Sequence, residues 1–78
     1  MDRISVKSSN IKSVGYDNRE GILEIEYKNG GIYHYLEVPA KKVAELHAAD
    51  SMGSYLHKNI KPNHICKKVG EKKKDEMV

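Results

Sequence analysis

The stretch Leu23–Val38, LEIEYKNGGIYHYLEV, constrains the fold of this chain more than any other. From Ile22 to Tyr27 the residues alternate, with Leu23, Ile25 and Tyr27 on one side and Glu24 and Glu26 on the other. A period of two is the mark of a strand with one buried face. Lys28-Asn29-Gly30-Gly31 then reads as a tight turn into a second strand. Two registers can close this hairpin. A two-residue Asn29-Gly30 loop pairs Tyr27 with Ile32 and sends Tyr33 and Tyr35 to the glutamate side. A three-residue loop with Gly30 left-handed and a bulge pairs Ile25 with Tyr33 and Leu23 with Tyr35. The chain has five tyrosines and neither phenylalanine nor tryptophan. Each buried large side chain contributes about 1.5–3 kcal/mol, so gathering the rings on the aliphatic side favours the second register. His34 is then left outside with Glu24.

Around the hairpin, Ile11–Tyr16 reads as a preceding strand, with Gly15 marking a bulge or a close backbone approach. Asp17–Gly21 is a turn, because Asp and Asn bond their own backbone and Gly accepts left-handed angles. Pro39 suits the first turn of a helix over Ala40–Ala49. Ala40, Val43, Ala44 and His47 lie along one face of it, with Leu46 beside them. Asp50-Ser51 ends that helix and caps a second, Ser51–Ile60, whose Tyr55, Leu56 and Ile60 reach toward the core. Lys61-Pro62-Asn63 stops it. His64–Val69 is a candidate edge strand. Gly70–Val78 is too poor in apolar residues to pack and is expected to be a disordered charged tail. The expectation is one α+β domain over residues 1–69. It has a small antiparallel sheet of three strands, or four with the edge strand, and two short helices on one face.

The single cysteine, Cys66, cannot form an internal disulfide, and the N-terminus has no apolar segment. Both fit a soluble cytoplasmic protein with no membrane partner. Charge is unevenly spread: residues 17–52 carry seven acidic and four basic side chains, whereas residues 53–74 carry seven lysines against Glu71 alone. Catalytic patterns are absent: there is no phosphate-binding glycine loop, nucleophile elbow or paired-histidine zinc helix. Cys66 and His64 lack an orienting third group, and His57, His64 and Cys66 lack metal-ligand spacing. No enzyme activity, metal, cofactor or small-molecule substrate is therefore expected. Tyr55, His57, Lys58, Asn59, Lys61, Lys67 and Lys68 form the candidate interface. Lysines neutralise phosphates, and an adjacent ring stacks on an unpaired base. RNA is the favoured partner. The alternative is a protein partner, or a second copy of the chain, docked on an exposed sheet edge.

Three segments, SSNIKSVGYD, LEIEYKNGGIYHYLEVP and SMGSYLHKNIK, resemble the KTSC domain in order and spacing from about Ser8 to Lys61. That family is named for its place at the C-terminus of some lysyl-tRNA synthetases and also occurs as small bacterial proteins. The resemblance implies no established activity, and its link to a tRNA-handling enzyme implies RNA binding by association. It implies structural roles for Gly15, Tyr16, Asp17, Tyr33, Tyr35 and Gly53. The chain departs from the family pattern at Met52, where a lysine is common, and at Leu56, where a phenylalanine is common. It also has Lys61-Pro62-Asn63-His64 in place of an aromatic-proline ending.

Overall fold

The computed structural model describes residues 3–71. Its strands are β1 (Arg3–Ser5), β2 (Ile11–Asp17), β3 (Ile22–Tyr27), β4 (Gly31–Tyr35) and β5 (Cys66–Glu71). Between β4 and β5 lie α1 (Ala40–Ala48), α2 (Met52–Tyr55) and a π-helical turn, Leu56–Ile60, that continues α2. The five strands form one antiparallel sheet in the order β1-β2-β3-β4-β5.

The hairpin takes the register that gathers the rings. Leu23 pairs with Tyr35, Glu24 with His34 and Ile25 with Tyr33. Gly30 has φ 102° and its N–H bonds the Tyr27 carbonyl at 2.9 Å. A side chain is strained at that angle, so the turn needs a glycine there. Asn29 Oδ1 braces the loop by accepting from the Gly31 N–H at 2.9 Å.

The sheet has more strands than expected. Ile4, which lies before the first expected strand, pairs with Val14 in β1. The edge strand is also present, and it runs through Gly70 and Glu71, which pair with Ile32 and Gly31. Those two residues belong to the stretch expected as tail; residues 72–78 lie outside the described residues. Gly15 marks no bulge, for the register shift falls between Ile11 and Ser13. Gly15 instead pairs with both Arg3 and Glu24, whose side chains meet at 3.0 Å.

One sheet face carries Ile11, Val14, Leu23, Ile25 and Tyr35, which are buried together with Val43, Leu46, Met52, Leu56 and Ile60 from the helical layer. Helix α1 is rolled from its expected orientation. Val43 and Leu46 are buried while Ala44 and His47 are exposed. These two large aliphatics give the greatest burial when they face the sheet, and the alanine gains little from the same place. Ser51 caps α2, its Oγ accepting from the Ser54 N–H at 3.3 Å.

The family-motif residues hold the strand ends. Asp17 Oδ1 accepts from the N–H groups of Arg19 (3.0 Å) and Glu20 (3.2 Å), closing the turn before β3. Tyr16 donates its hydroxyl to the Val38 carbonyl at 2.6 Å, and the Val38 N–H bonds Gly21 O at 2.8 Å. The β4–α1 connection is thus tied to the far end of the β2–β3 pair. The opposite sheet face is polar: Glu26, only 4% exposed, accepts from Ser13 Oγ at 2.8 Å. On that face Glu24 also meets His34 Nε2 at 2.7 Å.

Candidate nucleic-acid interface

Tyr27 is the last residue of β3, on the ring-bearing side but beyond the fully covered part of the core. Its hydroxyl lies 2.6 Å from that of Tyr35, which is completely buried. Tyr33 meets the Tyr27 ring edge to face, with centroids 5.5 Å apart and planes at 80°. Burial is the main cause that pushes both the Tyr27 and Tyr35 phenols above their ordinary range; in Tyr35 the contact with Tyr27 adds to it. Both therefore remain neutral hydrogen-bonding groups at physiological pH.

Three adjoining surface depressions surround Tyr27. The first, of about 360 Å³, lies between Asn10, Tyr27 and the helical stretch carrying Gly53, Ser54, His57 and Lys61. The second, of about 480 Å³, is bordered by Asn10, Tyr27, Lys28 and Asn29. The third, of about 280 Å³, is lined by Asn29, Tyr33, Tyr35, Lys61 and Cys66 as well as Tyr27. Asn10 is shared by the first two, Asn29 by the last two, and Lys61 by the first and third. A half-buried ring is thus encircled by two amides and by cationic groups.

The π-helical turn supplies the helical wall. The Lys61 N–H bonds Leu56 O at 2.8 Å, five residues back. This wider turn keeps Leu56 and Ile60 in the core while His57 and Lys61 border the same depression. Single π turns of this kind recur at functional sites. The segment after it is pinned to α1 and β4. Lys42 Nζ donates to Asn59 O at 3.0 Å and to His64 Nε2 at 3.1 Å, so the imidazole Nδ1–H is left to donate to Leu36 O at 3.1 Å.

The expected interface residues divide. His57 and Lys61 come together at the Tyr27 cleft. Tyr55 does not join them; its hydroxyl donates to Glu45 on α1, and that bond raises its phenol pKa. Lys58 is exposed on the π turn and borders none of the three depressions, and Asn59 uses its carbonyl for Lys42 and Asn63. Lys67 and Lys68 pair opposite His34 and Tyr33, so they point to opposite faces of β5. Lys68 shares the face of Tyr33 but donates to Glu71 at 3.0 Å, and this partner raises its pKa. Of the motif tyrosines, Tyr35 is core and Tyr33 half-buried, while Gly53 borders the cleft. Sequence reasoning missed Tyr27, Asn10 and Asn29. The place of Tyr27 at the end of the alternating run was the available signal for it.

These elements define a small α+β domain with an open antiparallel meander and one helical layer. The KTSC domain family matches residues 7–64, and the chain belongs to that family. It is 38% identical to a KTSC domain protein of Yersinia pestis whose crystal structure superposes with a TM-score of 0.84, covering 88% of this chain and 97% of that one. An uncharacterised protein of Stutzerimonas stutzeri is 41% identical over 64 residues, 82% of this chain and 90% of its own length. A lysine–tRNA ligase of Trichormus variabilis is 38% identical over 55 residues, which are 70% of this chain and 10% of the ligase. Among the described residues no helix is long and apolar enough to cross a membrane.

Proposed function

We propose that this domain is a non-catalytic RNA-binding module of the cytoplasm that engages its ligand at the Tyr27 cleft. The observation that carries the reading is the setting of His57, Lys61 and Lys28 around a half-buried tyrosine. Lys28 and Lys61 supply the cations that attract a phosphate backbone, and the imidazole and the phenol ring beside them offer contacts to a nucleotide. Similarity to part of a lysine–tRNA ligase supports the same partner class. Titration of the labelled domain with short single-stranded and hairpin RNA at two salt concentrations tests it. The amide signals of Asn10, Tyr27, His57 and Lys61 should move. The logarithm of the affinity should fall with the logarithm of salt, by about 0.7 per neutralised phosphate on single strands. Lys61→Ala should flatten that slope, and Lys58→Ala should flatten it less. Absence of any shift at low salt refutes the reading.

A second reading rests on β5, the strand at one sheet edge, near which Ile65 and Val69 are 68% and 49% exposed. A protein partner could add a strand there. Lys67 and Lys68 oppose it, since lysines on an edge strand discourage strand addition. Binding that is indifferent to salt and confined to Ile65–Glu71 would favour this reading over RNA.

A further inference from the structure

We infer that the Tyr27 cleft accepts an unpaired base, so that the module selects single-stranded or looped RNA over duplex. This rests on the RNA reading above and adds what the electrostatics alone leave open, because lysines neutralise the phosphates of paired and unpaired strands alike. The discriminating groups are neutral. The Asn10 side-chain amide makes no hydrogen bond among the described residues, and it borders two of the depressions beside Tyr27. Its NH2 group donates and its carbonyl oxygen accepts, which matches the mixed donors and acceptors that a base edge presents when its own partner is absent. Asn29 spends its Oδ1 on the Gly31 N–H and keeps its Nδ2 as a donor. Tyr27 contributes ring surface, and its hydroxyl is held by Tyr35.

The size agrees. A depression of about 360 Å³ is at the small end of those that take small organic ligands. Lys61 and His57 on the helical wall then take the adjoining phosphate. In a duplex the bases are stacked and paired, so the ring and the amides have nothing to engage and only the cations act.

The test measures affinity of the full chain for one RNA sequence as a single strand and as the duplex with its complement, at matched salt. The single strand should bind about fivefold tighter or more, the effect of one stacked base. Asn10→Ala should erase much of that advantage and leave the salt slope unchanged. Asn10 is exposed, so the variant folds, and Lys61→Ala serves as the contrasting variant that changes the slope. Equal affinity for strand and duplex, with Asn10→Ala without effect, overturns the inference and leaves the RNA reading standing. Failure of both RNAs to bind at low salt removes the RNA reading itself.

Discussion

At the scale of single residues, the tyrosine hydroxyls are the most informative groups. Tyr27 and Tyr35 share a contact of 2.6 Å, and burial raises both phenols above their ordinary value. An unfolded tyrosine ionises near pH 10. Between that value and the higher folded one, the unfolded chain sheds protons that the folded chain keeps. Their contribution to stability is therefore complete below about pH 10 and is lost as pH rises above it. Tyr35→Phe should flatten this alkaline loss in denaturant titrations at a series of pH values. Reversible ionisation of Tyr27 and Tyr35 near pH 10 with the fold intact would contradict it. On the polar face, Ser13→Ala should destabilise the domain by about 1–3 kcal/mol in urea, because it takes a hydrogen bond from the buried Glu26 carboxylate. Tyr35→Ala, which empties a fully buried ring site, should cost about 3–5 kcal/mol.

At the scale of elements, β5 depends on a tether outside the sheet. His64 is held between Lys42 of α1 and the Leu36 carbonyl at the end of β4, and the Leu36 N–H in turn bonds Ile65 O at 2.9 Å. His64→Ala should speed amide exchange across Cys66–Glu71 more than across β2 and β3, with a global loss of about 1 kcal/mol. Uniform acceleration over the whole sheet would show that β5 is no separate unit. The central hairpin was legible in the sequence because alternation and the glycine turn agreed on one register. The roll of α1 was not legible. Ala40, Val43, Ala44 and His47 share a helical face, but packing is decided by Val43 and Leu46, the side chains with most area to bury. Strand β1 was hidden for a related reason: three residues with an exposed Ile4 carry no pattern, and their pairing is dictated by β2. The cleft was half visible. His57 and Lys61 follow from helical spacing, whereas Asn10 and Asn29 reach Tyr27 only through turns that the sheet brings together.

At the scale of the whole molecule, one cluster among the described residues contains the buried hydrophobic side chains of both sheet and helices. Unfolding in urea should accordingly be one transition, with tyrosine fluorescence and far-ultraviolet dichroism tracing the same curve. Curves with separate midpoints would mean that the helical layer detaches on its own. The strand order also has a temporal meaning. Because β1 to β4 stand side by side in the order in which they are translated, each can find its neighbour as soon as it leaves the ribosome. Only the pairing of β4 with β5 must wait for the helices to be made, so the edge that β5 covers stays open on the nascent chain until the last strand emerges.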